Sequence, residues 1–210
     1  MRTKLILTTA AFGVASLGAL AQVYSVNAVG YINASVPANG LALVANQLNT
    51  GGNTVAEVLV GVPEDTVVYP YTQAAGFGVV TYTFGAWEPA TQVLGPGTGF
   101  FIKNPTAAAI TVTFVGEVPQ GALTTQLAQG LNLVGSQVPQ AGALSTALGF
   151  PAAENDAVYQ WNPTTQAYNA AKSYVFGAWD PSEPTLGVAE AFFVDKAAAA
   201  AWTRNFSVNQ

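Results

Sequence analysis

SYVFGAWDPSEPTLGVAEAFFVDK, Ser173 to Lys196, repeats an earlier stretch, TYTFGAWEPATQVLGPGTGFFIKN, Thr81 to Asn104. Phe176-Gly177-Ala178-Trp179 answers Phe84-Gly85-Ala86-Trp87, and each is followed by an acid and a proline. Phe192-Phe193-Val194 answers Phe100-Phe101-Ile102. The likeness runs outward in both directions. Gly130-Leu131-Asn132-Leu133-Val134 matches Gly40-Leu41-Ala42-Leu43-Val44, and Ala147-Leu148-Gly149-Phe150-Pro151 matches Leu59-Val60-Gly61-Val62-Pro63. Val158-Tyr159-Gln160-Trp161 matches Val68-Tyr69-Pro70-Tyr71, and Phe206 matches Phe114. The offset stays within a couple of residues of 90. Its slips fall between blocks, where loops tolerate insertion. One unit is therefore encoded twice.

Inside each block the period is two. Val80, Tyr82 and Phe84 share one face against Thr81 and Thr83, and Tyr174 and Phe176 repeat the pattern. Ile110, Val112 and Phe114 alternate with Thr111 and Thr113. Such alternation marks half-buried strands. Gly40–Val44 and Thr98–Ile102 are apolar on both sides and read as central strands. Gly and Pro punctuate the blocks. Thr54–Leu59 and Ala143–Leu148 are the short-helix candidates, and Asn162-Pro163-Thr164-Thr165 reads as a hairpin turn. The expected fold is all-β: two tandem, homologous antiparallel β-sandwich or barrel-like units, each with at most one short helix. Residues 22–118 form the first repeat with an N-terminal strand, and residues 119–210 the second. Units of this size are small for independence, so the two are expected to pack on each other.

The N-terminus reads differently. Arg2 and Lys4 precede an apolar run from Leu5 to Leu20, and Ala19-Leu20-Ala21 fits a small-residue cleavage site. Residues 1–21 read as a secretory signal peptide, which places the mature chain in the periplasm, on the outer surface or outside the cell. No later stretch approaches the roughly 20 apolar residues of a membrane-spanning helix. Only 8% of residues are charged, against about 25% in ordinary soluble proteins. Without Arg2 and Lys4, four basic residues face eleven acids, a net charge of −7. A chain this acidic repels nucleic acid and anionic lipid. With no Cys, stability rests on burial and backbone pairing rather than on disulfides.

The motifs Gly130–Val134, Val158–Tyr168, Gly177–Trp179 and Gly97–Phe101 resemble those of a loosely defined group of uncharacterised secreted bacterial proteins of the Verrucomicrobia type. Their pattern is G-[FWL]-N-L-[IV], a V-Y-x-W-N…T-Q-x-Y hairpin, G-x-W and G-x-G-F-F. The resemblance covers most of the mature chain. It implies an exported β protein and brings no catalytic residues.

The reactive inventory is narrow. Without His or Cys the Ser-His-Asp and Cys-His arrangements are excluded, as is nearly all zinc, copper and haem ligation. No cofactor is implied. Gly95-Pro96-Gly97-Thr98-Gly99 leads into a strand and reads as a structural turn rather than a phosphate cradle. Carboxylates remain. Glu88 and Asp180 sit at equivalent places between Trp and Pro, read chiefly as turns. A carboxylate-based glycoside hydrolase would need two acids roughly 5–10 Å apart. Asp180 with Glu183, or Glu154 with Asp156, are minor calcium candidates, though no spacing fits a known calcium loop. Arg204 takes the place of inward-facing Val112 and reads as an edge.

Of the tryptophans, Trp87 and Trp179 are equivalent and read as core or corner. Trp161 and Trp202 are the candidates for ligand stacking. The expected function is therefore non-enzymatic: an exported structural or interaction protein of the cell surface or matrix. Its partner would be another copy, joined through terminal edge strands such as Val23–Ile32. The rival reading is a carbohydrate-binding module that recognises surface polysaccharide through Trp161 or Trp202, with the glycoside hydrolase third.

Overall fold

The computed structural model describes residues 28–208. The signal-peptide reading, and the start of the N-terminal strand at Val23, lie outside them. The first unit contains β1 (Val29–Val36), β2 (Leu41–Ala45), α1 (Val55–Val58), β3 (Val67–Thr72), β4 (Gly76–Phe77), β5 (Val80–Thr83), β6 (Ala86–Glu88), β7 (Gly99–Lys103) and β8 (Ile110–Glu117). The second contains β9 (Gly121–Leu127), β10 (Gly130–Gly135), β11 (Gly142–Ala143), β12 (Ala157–Asn162), β13 (Ala167–Tyr168), β14 (Lys172–Val175), β15 (Ala178–Asp180), β16 (Thr185–Leu186), β17 (Ala191–Lys196) and β18 (Ala200–Phe206). The described residues are nearly all β, and their two halves share one antiparallel plan.

In the first unit a sheet ordered β2-β7-β3-β5-β6, with β4 on β3, faces a ribbon of β1 and β8. The second repeats this as β10-β17-β12-β14-β15, with β13 on β12, facing a ribbon of β9 and β18. Period-two alternation explains the layering. In the first sheet Ala42, Val44, Val68, Phe100 and Ile102 point toward the ribbon, where they meet Ile32, Ala34, Val36, Val112 and Phe114. Val134, Val158, Phe192 and Val194 meet Leu127 and Trp202 in the second. Burying one such aromatic ring contributes about 4–6 kcal/mol as an upper bound.

The intervening residues of both sheets face each other. Leu43, Ala45 and Phe101 of the first unit pack with Leu133, Ala191 and Phe193 of the second in one core. The order is ribbon, sheet, sheet, ribbon. This explains the doubly apolar strands. β2 and β7 are buried on both faces, yet β2 pairs only β7 within its sheet, so it is an edge strand rather than a central one. The other unit closes that edge. Ala45 N–H donates to Ala189 O at 2.9 Å, and Gly135 N–H donates to Gly97 O at 3.0 Å. The contacts are reciprocal, as in an isologous dimer.

Three further expectations are corrected. Ala143–Leu148 is not a helix: Ala143 ends β11, and the rest forms turns in which Ala147 and Leu148 N–H both donate to Ala143 O. Ser145 and Thr146, weak helix formers, give their N–H groups to the Glu183 carboxylate instead. Phe84 and Phe176 are not on the apolar face. Their strands end one residue earlier, and Phe84-Gly85 and Phe176-Gly177 form two-residue turns with positive φ throughout. The rings stand 102% and 98% exposed. Finally, Ala200 pairs Leu127 as Ile110 pairs Val36. Trp202, not Arg204, therefore takes the place of Val112, and Arg204 takes that of Phe114.

Candidate functional site

The chemistry-bearing surface lies where the two sheets meet. The β3–β4 and β12–β13 hairpins each reach toward the other unit. Pro163 restricts its turn, and Asn162 Oδ1 accepts from Thr164 and Thr165 N–H at 2.9 and 3.2 Å, as the sequence predicts. Gln166, at φ 54°, then lies along the first unit: its amide accepts from Leu41 N–H at 2.7 Å and donates to Leu41 O at 2.9 Å. Gln73 of the other hairpin donates to Gln129 O at 2.6 Å. These side chains close over Gly40 and Gly130; a Cβ on Gly130 would meet Gln73 Nε2 at 2.4 Å. That contact, with φ 89°, explains the glycine at the head of β10.

Between the straps runs an aromatic groove with two hollows. One, of about 400 Å³, is lined by Tyr71, Phe77, Leu131, Tyr159, Tyr168 and Phe193. The other, of about 340 Å³, is lined by Leu41, Tyr69, Phe77, Phe101, Trp161 and Tyr168. The two sets are equivalent residue for residue under the duplication. Phe77 and Tyr168 belong to both. Each is about half exposed, and each reaches across to the other unit's phenylalanine: Phe77 to Phe193 at 6.0 Å, Tyr168 to Phe101 at 6.5 Å. Tyr71 on Phe193 and Trp161 on Phe101 are edge-to-face at 5.1 Å. Such pairs add about 0.5–1.5 kcal/mol each beyond their burial. No charged side chain lines either hollow. Burial holds the Tyr168 hydroxyl above the usual tyrosine range.

Trp161 lies at the mouth of this groove. It is half-buried, its Nε1 donates to Leu41 O at 3.1 Å, and one side lines the groove. Its other side borders a mixed hollow of about 320 Å³ that includes Asn33, Ser35 and Glu190. Trp202 does not stand at such a place. It is 2% exposed, packs on Phe150 and Phe192, and donates Nε1–H to Leu148 O at 2.8 Å. In this conformation it is core and presents no face for stacking. Trp87 is buried, and Trp179 packs edge-to-face on Tyr174 and donates to Ser145 Oγ at 3.0 Å.

The carboxylates serve the backbone. Glu64 accepts from Phe84 and Gly85 N–H at 2.8 Å each, and Glu154 accepts from Phe176 and Gly177 N–H at 2.7 and 3.3 Å. Glu183 accepts from Ser145 and Thr146 N–H and from Thr146 Oγ1. Burial raises its pKa, but these three bonds outweigh that and hold it below the ordinary value. Asp156 is paired with Lys196. Among the described residues, no three of His, Cys, Asp and Glu converge as metal ligands. Glu88 and Asp180 lie exposed on edge strands of separate sheets. Also among the described residues, no helix is long and apolar enough to cross a membrane.

Of the groove lining, sequence reasoning named only Trp161 as a candidate; Phe77 and Tyr168 at its centre, and Tyr69, Tyr71 and Tyr159 beside them, were missed. The doubly apolar strands were the available signal, since a second covering layer had to exist. In comparisons with family models, curated proteins and solved structures, nothing matches this chain.

Proposed function

We propose that the protein is an exported, non-enzymatic interaction protein of the cell surface or matrix, with the dyad-related aromatic groove as its contact face. One observation carries this reading: two equivalent aromatic hollows meet at Phe77 and Tyr168 without a charged side chain in either lining. Exposed aromatic patches of this kind mark sites of association. The fully exposed rings of Phe84 and Phe176 add two further contact points per chain. The test is sedimentation and electron microscopy of residues 22–210 over a concentration series. Oligomers or filaments that Phe77→Ser with Tyr168→Ser abolishes are the expected result. A chain monomeric at every concentration counts against it.

A second reading has its own support. Trp161 joins an aromatic hollow to one containing Asn33, Ser35 and Glu190, the combination of flat ring and polar groups that sugars require. Under this reading a glycan array gives hits with the wild type and loses them with Trp161→Ala. An array without hits dismisses it.

A further inference from the structure

Lys196, at the end of β17, and Asp156, just before β12, are both fully buried and in direct contact. They lie on adjacent strands, since Ala157 opposes Asp195. The lysine Nζ also donates to Pro151 O at 2.7 Å and sits 5.2 Å from the centre of the Phe150 ring. Both carboxylate oxygens accept backbone N–H groups: Oδ2 from Ala153 at 2.8 Å and Oδ1 from Ala197 at 3.0 Å. Two full charges withdrawn from water carry a penalty that their attraction often fails to offset. The fold does not require them. The first unit fills the same two places with Thr66 and Asn104, neutral, buried and hydrogen-bonded to nearby carbonyl oxygens.

We propose that Lys196 and Asp156 condense to an intramolecular amide, a covalent link between β12 and β17. The direct contact lets one proton pass from the ammonium to Oδ2. The freed amine lone pair attacks Asp156 Cγ and forms the N–C bond. The negative charge that develops on Oδ1 faces the Ala197 N–H, as in an oxyanion hole. A second proton moves from Nζ to Oδ2, the Cγ–Oδ2 bond breaks, and one water departs. The ammonium and carboxylate together lose one H₂O and nothing else, so no oxidant or co-reactant is needed. Fixed contact between the groups supplies the effective concentration that free amine and acid lack.

Intact-mass measurement of the denatured full chain tests this. The expected mass is about 18 Da below that of the same polypeptide sequence, one water lost. Tryptic digestion should give a branched peptide joining the segments around Asp156 and Lys196, with no cleavage after Lys196. Lys196→Met should restore the full sequence mass; if that variant does not fold, the wild-type mass and the branched peptide decide alone. A wild-type mass equal to the sequence overturns the proposal. So does loss of one water without the branched peptide, which is the mark of a succinimide.

Discussion

Replacing Gly135 by alanine tests the central packing, and the sign of the result is diagnostic. Gly135 lies in the extended strand β10, where alanine is locally allowed. Backbone considerations alone predict stabilisation by about 0.4–1 kcal/mol, because the unfolded chain loses freedom. The structure predicts the opposite. A Cβ on Gly135 would lie 2.3 Å from Ala45 Cβ and 3.0 Å from Glu190 O. Carbon pairs settle at about 3.5–4.0 Å, so the sheets would have to part by more than about 1 Å. Neither atom can swing aside, because both are tied directly to backbone fixed by the reciprocal bonds to Gly97 O and Ala189 O. Overpacking typically costs about 1–3 kcal/mol, and the upper end is expected here. At about 2–4 °C per kcal/mol for a chain of this length, Tm should fall by about 6–12 °C. Ala45→Gly in the same chain moves the methyl across the dyad and should recover most of the loss. A double-mutant cycle by thermal or urea unfolding should then give a coupling of about 2 kcal/mol. A Gly135→Ala variant that melts higher than wild type, or a cycle that is merely additive, would refute the face-to-face packing of the sheets.

Other perturbations follow from single contacts. Trp202→Ala should cost about 3–5 kcal/mol in urea unfolding, as a large core truncation that also leaves Leu148 O without its donor; Trp161→Ala, at the groove mouth, should cost clearly less. Phe84→Asn should keep or raise Tm, since asparagine tolerates the positive φ that phenylalanine occupies there; a fall would mean that the exposed ring has a partner within the chain. Glu183 titrates lower in the folded state than in the unfolded state, so the unfolded chain binds more protons in the interval between the two values. Its stabilisation is thus complete above the unfolded carboxylate value and is lost as pH falls through the folded one. Glu183→Gln should narrow its stability gap to wild type across that acid window, and a gap independent of pH would contradict the assignment. Residues 22–118 and 119–210 expressed separately should be poorly soluble or melt well below the whole; halves that each melt like the parent would sink the packed pair.

Much of this architecture was readable because β structure writes itself in period two. Val112 and Phe114 against Thr111 and Thr113 gave both the strand and its buried face. Four features were not readable, for different reasons. Counting parity through Thr83 into Phe84 placed that ring inside, because nothing in Phe-Gly announces the left-handed turn that Asn-Gly would have signalled. Phe77 sits on a two-residue strand, too short to carry any period, so its place in the groove depends wholly on tertiary contacts. Arg204 was set against Val112 because the repeat offset was carried through a hairpin that is tighter in the second unit. The contact of Asp156 with Lys196 joins residues far apart in sequence, and no local pattern encodes it.

The reciprocal fit of the two sheets bears on how a nascent chain behaves. When β8 has emerged, the inward faces of Leu43, Ala45 and Phe101 are made but have nothing to cover them. At about 5–20 residues per second, the remaining ninety or so residues take about 5–20 s to appear. During that interval chains emerging side by side each display the same sticky plate. Two first halves would set Ala45 against Ala45, the same kind of methyl collision that Gly135 avoids. A first half therefore waits for a second half, its own or a neighbour's, and exchange of second halves between chains is the characteristic error this architecture invites.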